Sequence, residues 1–114
     1  MKKIEAIIRK SKFREVKNAL VKAGVENFSY WLVRNVGEAT EARVYRGVEY
    51  ETSAVERIHI SFCISNKQSD VIRLIIDNGI TGEEGDGRIF ISEVSEAYQL
   101  KTKDGHDEAI PIKE

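Results

Sequence analysis

Residues 56–65, ERIHISFCIS, alternate Ile58, Ile60, Phe62 and Ile64 against Arg57, His59, Ser61 and Cys63. A period of two sustained over this length specifies a strand with one apolar and one polar face. Residues 3–9, KIEAIIR, repeat the pattern, with Ile4, Ala6 and Ile8 set against Lys3, Glu5 and Ile7. Residues 28–36, FSYWLVRNV, are aromatic and β-branched and read as another strand, as do residues 88–94, RIFISEV. A shorter piece, AYQLK at 97–101, adds an edge strand.

Two helical patterns lie between these strands. In residues 12–23, Phe13, Val16, Leu20 and Val21 share one face, with Lys12, Glu15, Lys17, Asn18 and Lys22 mostly opposite. Ser11 is the expected cap and Gly24 the stop. Residues 66–79 carry the stripe Val71, Ile72, Ile75 and Ile76, and Gly79 closes the helix. The order is strand, helix, strand, strand, helix, strand. This predicts an α+β, ferredoxin-like βαββαβ domain: an antiparallel four-stranded sheet with both helices on one face. The other face is left without helices. Ile7, Tyr30 and Trp31 are assigned to it and make it partly apolar, which implies an oligomer.

With 114 residues the chain is read as a single domain, 1–114. Lys plus Arg count 18 against 19 Asp plus Glu, so there is no positive field for sequence-independent nucleic-acid binding. A single cysteine, Cys63, excludes an internal disulfide and a multi-cysteine metal site, and it reads as a small buried hydrophobe. His59 and His106 have no ligand-like spacing, and His59 reads as a cross-strand polar partner. Trp31 is a subunit-interface or core residue. The N-terminus has no apolar stretch for a signal peptide or a membrane span, so a cytoplasmic protein is expected. No Ser/His/Asp or Cys/His set stands at catalytic spacing, and no enzyme activity is expected.

Residues 37–54, GEATEARVYRGVEYETSA, hold scattered apolar residues and no clear period. A segment this long inside a small domain is functional, disordered or a plain β-ribbon tip. Residues 80–87, ITGEEGDG, are glycine-rich and either make a simple helix-to-strand turn or bind something. The tail, 102–114, is polar and ends IPIKE.

Three stretches together carry a resemblance: the opening MKKIEAIIRKSKFREVKNAL, YRGVEY at 45–50, and TGEEGDGRIFISEV at 81–94. In that order and spacing the chain resembles the P-II nitrogen regulatory family, from Met1 to about Ile110. The resemblance implies a homotrimer. It makes residues 37–54 the family's T-loop, which docks on target proteins such as ammonium transporters, other membrane transporters or nitrogen-metabolism enzymes. It also implies adenine nucleotide (ADP, AMP or ATP) in the clefts between subunits, joined in many members by Mg and 2-oxoglutarate. Tyr45, Arg46, Gly47 and Tyr50 would form the partner-binding part of the loop, and Tyr50 stands where some members are uridylylated.

On the nucleotide side, Gly85, Asp86 and Gly87 can let backbone N–H groups converge on a phosphate, with Arg88 adding charge. Asp86 has an alternative role as a turn cap. Gly37, with Glu38 beside it, stands at the loop entry as a second cradle. Ser29 matches a threonine near the adenine, Arg57 a basic residue at the loop exit, and Ile7 joins the same implied set. Gln99-Leu100-Lys101 stands where the family has Arg-x-Arg, so Gln99 and Lys101 face the phosphates with less charge and without the bidentate fork. Gly37-Glu38-Ala39 replaces Gly-Arg-Gln, which puts an anion beside the phosphates and removes the glutamine that helps hold Mg-ATP and 2-oxoglutarate. The loop is one residue shorter than the family pattern before Tyr45. These departures predict weaker ATP binding or a shift to a less charged nucleotide, and loss of 2-oxoglutarate sensing.

Three functions compete on this reading. The first is a regulatory trimer whose effectors shift the loop population. The second is a divergent interaction module that has lost nucleotide control. The third is a small ferredoxin-like enzyme or metal-binding trimer, which the missing ligand cluster disfavours.

Overall fold

The structure is a computed structural model that describes residues 1–36, 42–45, 48–51, 55–65 and 70–100; for 42–45 and 48–51 it describes the backbone alone. The elements are β1 (Lys2–Arg9), a 3₁₀ turn (Lys10–Lys12), α1 (Phe13–Lys22), β2 (Ser29–Asn35), β3 (Ala42–Tyr45), β4 (Val48–Glu51), β5 (Val55–Ile64), α2 (Val71–Gly79) and β6 (Gly87–Glu93). The main sheet has the order β2-β5-β1-β6 and every pair is antiparallel. This is the ferredoxin-like arrangement expected from the element order.

The alternation in β1 and β5 sorts the side chains as expected. Ile4, Ala6 and Ile8 of β1 and Ile58, Ile60, Phe62 and Ile64 of β5 are buried with Val16 and Leu20 of α1 and Val71 and Ile75 of α2. Both helices therefore cover the same face of the two central strands, where the apolar area removed from water is greatest. Phe13 and Ile72 are partly buried against this core. Val21 and Ile76, counted on the apolar stripes, are 52% and 42% exposed, because each helix reaches the sheet over a narrower arc than the stripe.

Helix α1 starts without a side-chain cap: Lys12 is the N-cap residue, and the 3₁₀ turn that contains Ser11 takes the place of the expected Ser11 cap. Its end matches the expectation. Gly24 has φ 93, the Gly24 N–H donates to Val21 O at 3.1 Å and the Val25 N–H to Leu20 O at 3.0 Å. That pair of bonds is the Schellman closure, which calls for a left-handed residue. Gly79 works differently. It is the buried last residue of α2, it lacks a positive φ, and a Cβ there would meet Val16 at 3.6 Å and Ile8 at 3.8 Å. The helix ends because Ile80 turns extended, with ψ 138.

The stretch without a clear period contains two short strands, β3 and β4, paired with each other as Ala42↔Glu51 through Tyr45↔Val48. This corresponds to the ribbon alternative. Near the C-terminus, Tyr98 makes a single bridge pairing, and the edge strand expected at 97–101 does not form among the described residues.

Candidate functional site

The face of the sheet away from the helices is organised in cross-strand rows. One runs Trp31, His59, Ile7, Arg88 across β2, β5, β1 and β6; the next runs Val33, Arg57, Arg9. On the other side of the first row lie Ser29, Ser61, Glu5 and Phe90. Trp31 and Phe90 are 44% and 51% exposed here, so Trp31 is a surface residue and not part of the core. Tyr30 does not belong to this face. It pairs with Ile60, a core residue, and its ring lies 4.4 Å from Phe13 of α1. Neighbours in a strand point to opposite sides, so Tyr30 and Trp31 cannot share a face. Cys63 pairs with Lys3 and lies on the same open face, half-buried, where the expectation was a core hydrophobe.

Within the open face, Glu5 sits between two partners. Its Oε1 is 3.3 Å from Lys3 Nζ and its Oε2 is 3.0 Å from His59 Nε2. The hydrogen bonds from Lys3 and then from His59 hold the Glu5 carboxyl below its ordinary pKa. An ionised carboxylate only accepts, so the proton of neutral His59 resides on Nε2. The same imidazole stacks on Trp31, with centroids 4.4 Å apart and planes 19° from parallel. His59 is thus a cross-strand polar partner, as its position in the alternation predicted.

A dense polar cluster lies at the end of this face, where Thr81–Asp86 leads into β6. The Asp86 carboxylate accepts from Thr81 N–H at 2.9 Å, Gly82 N–H at 2.9 Å, the Thr81 hydroxyl and Arg9 Nε at 2.8 Å. These donors, the Thr81 hydroxyl and Arg9 foremost, hold the Asp86 carboxyl far below the ordinary carboxylate range. Gly82, Gly85 and Gly87 all have positive φ, which is why glycines stand there. A Cβ on Gly87 would come within 1.9 Å of Ile7 O, so β1 and the turn meet through bare backbone. Arg57 is only 7% exposed and donates to Glu56 O at 2.9 Å and Gly85 O at 3.1 Å. Burial, and then the neighbouring Arg9, lower its pKa, while Asp86 acts in the opposite direction.

Beside the turn opens a cleft of about 310 Å³, lined mainly by Ile8, Ile75, Ile76, Gly79, Ile80 and Ile89, with Ile7 and Asp86–Arg88 at its edge. Its walls are aliphatic and suit an apolar body, while the turn offers backbone donors and cationic side chains.

Of the expected nucleotide set, Ile7, Arg57, Gly85, Asp86, Gly87 and Arg88 come together at this end of the sheet. Ser29 does not join them. Gly87 lines up through Ile8 and Ile58 with Leu32, three residues from Ser29 along β2. Strand spacing and rise put Ser29 roughly 18 Å from the turn in one chain. Gln99 is half-buried beyond β6. Gly37, Glu38, Ala39, Arg46, Gly47 and Lys101 lie outside the described residues, as do the side chains of Tyr45 and Tyr50. The Asp86 side chain takes the role of turn organiser. Arg9 and Thr81 were missed by the sequence reading; the TG-x-x-GD spacing hinted at Thr81, whereas Arg9 reaches the turn only through strand register. Among the described residues, no group of three or more His, Cys, Asp and Glu is placed to hold a metal ion, and no helix is long and apolar enough to cross a membrane.

The family model for nitrogen regulatory protein P-II matches residues 1–104. The chain is similar to the nitrogen regulatory protein P-II of Porphyra purpurea, at 39% identity over 96% of this chain and 100% of that protein. It is 40% identical to the P-II protein of Pyropia yezoensis over the same shares. It is 37% identical to nitrogen regulatory protein P-II 2 of Methanothermobacter thermautotrophicus, over 96% of this chain and 97% of that one. The ferredoxin-like sheet, the positive-φ glycines of the TG-x-x-GDG turn and a match along almost the whole length agree: the chain belongs to the P-II family of nitrogen regulatory proteins.

Proposed function

We propose that this regulator binds an adenine nucleotide at the Thr81–Arg88 turn and that the bound nucleotide sets the conformation of the 37–54 loop, which docks on a target protein. The observation that carries the reading is the turn itself: three positive-φ glycines beside two guanidinium groups, at the mouth of an aliphatic cleft. A ligand with one flat apolar end and one anionic end fits that pairing of surfaces. The separation of Ser29 from the turn supports a site completed by a second copy. The exposed Trp31 and Phe90 on the uncovered sheet face supply apolar area for such an assembly, which we take to be a homotrimer. The protein would act without breaking bonds, by population shift, in the cytoplasm or at a membrane transporter.

Glu38, Ala39 and Gln99 favour ADP or AMP over Mg-ATP and disfavour 2-oxoglutarate, since they remove cationic charge and the ligating glutamine. Calorimetric titration of the full chain with ATP, ADP and AMP, each with and without Mg and 2-oxoglutarate, tests this. We expect ADP or AMP to bind and 2-oxoglutarate to add nothing. Tight, Mg-dependent, mutually reinforcing binding of ATP and 2-oxoglutarate would refute the selectivity. Absence of all nucleotide binding, with a target still captured, would favour a constitutive interaction module.

A further inference from the structure

Two arginines from the open face of the sheet end on neighbouring carbonyl oxygens of one turn. Arg9 Nη2 donates to Glu84 O at 2.9 Å, and Arg57 Nη2 donates to Gly85 O at 3.1 Å. Each uses a second prong as well: Arg9 Nε goes to Asp86 Oδ1 at 2.8 Å and Arg57 Nη1 to Glu56 O at 2.9 Å. No peptide among the described residues is cis. A trans peptide points its C=O and the following N–H to opposite sides. With Glu84 O and Gly85 O drawn toward the arginines, the N–H groups of Gly85 and Asp86 face the other way, as consecutive donors. The backbone hydrogen bonds of the described turn use neither of them. Arg9, Arg57 and Asp86 together leave a net positive charge behind the pair.

We propose that Arg9 and Arg57 are positioning residues that, through the carbonyls of Glu84 and Gly85, aim the N–H groups of Gly85 and Asp86 at a phosphate of the bound nucleotide without touching it themselves. This rests on the reading of the turn as the phosphate-binding element, and it gives Arg57 a different role from the direct contact expected at the loop exit. Lysine cannot replace either arginine, because one ammonium cannot span the two acceptors that each guanidinium bridges in a fixed plane.

The test compares ADP and adenosine binding to the full chain and to Arg9→Met, Arg9→Lys, Arg57→Met and Arg57→Lys, by calorimetry for ADP and ligand-observed NMR for adenosine. Loss of a well-aimed donor pair weakens ADP binding about tenfold or more in all four variants. Adenosine, which has no phosphate, should bind all five proteins alike. In the unmodified chain the Gly85 and Asp86 amide resonances should move on adding ADP. Recovery of ADP affinity in the lysine variants would mean that charge alone matters and would overturn the proposal. Parallel loss of adenosine would do the same by pointing to a collapsed site, and so would unchanged ADP affinity in the methionine variants. No ADP binding by the unmodified chain would instead remove the nucleotide reading on which the proposal stands.

Discussion

Arg9 Nε donates to Asp86 Oδ1 at 2.8 Å, joining the end of β1 to the turn before β6 across 77 positions of sequence. The contact is possible because β1 and β6 lie side by side, with Ile8 opposite Gly87. It brings together two charged residues that local pattern places in unrelated elements, and it pins the turn on which the proposed function depends.

The Asp86 carboxyl is held below its ordinary pKa by the Thr81 hydroxyl, Arg9 and two backbone N–H groups. A depressed folded-state pKa contributes stability that is present above the unfolded carboxylate value and is lost as pH falls toward the folded one. Asp86→Asn should therefore lower the urea midpoint at neutral pH. The gap from the unmodified chain should close progressively below about pH 4, where unfolded carboxylates take up protons. A gap independent of pH would show that the charge on Asp86 is not what matters.

Glycine-to-alanine changes at two positions with different surroundings should have opposite signs. Gly87→Ala combines φ 127 with a Cβ 1.9 Å from Ile7 O, and it should destabilise the chain by about 2 kcal/mol or more. Gly79→Ala places a methyl in ordinary contact with Val16 and Ile8 from a helical backbone, and it should stabilise by about 0.5–1 kcal/mol. Equilibrium denaturation of both variants decides the matter, and equal destabilisation would contradict this account.

Adjacent residues of α1 should separate just as sharply. Leu20 is fully buried, whereas Val21 is 52% exposed. Leu20→Ala should cost about 2–5 kcal/mol through lost transfer energy and the cavity left behind. Val21→Ala should stay within about 0.5 kcal/mol of the unmodified chain. Thermal melts that rank the two the other way would move the buried stripe of α1.

Trp31 is the sole tryptophan, and it stacks on His59. Its fluorescence therefore reports on the row across the open face. His59→Ala removes the stacked ring and should shift the Trp31 emission at constant pH. Identical emission from the variant and the unmodified chain would contradict the stacking.

The alternation in β1 and β5, the Val16/Leu20 and Val71/Ile75 spacings and Gly24 are local signals, set by strand and helix periods and by the φ a turn demands. From them the ferredoxin-like order and the core are legible, and the TG-x-x-GDG stretch marks the site turn. Register is not local. It placed Arg9 and Arg57 on the same turn, set His59 between Glu5 and Trp31, moved Tyr30 to the helix face and put Cys63 on the open one. Ser11 lost its expected cap role because the chain tightens into a 3₁₀ turn before α1, and the ribbon of β3 and β4 formed where no period announced it. A one-residue change in pairing would alter each of these contacts while leaving the local patterns untouched. The sequence by itself therefore determined the four strands of the main sheet, the two helices, the buried residues of β1 and β5, and the glycines of the site turn. The tertiary structure alone decided which charged side chains meet at that turn and which way its peptide groups face.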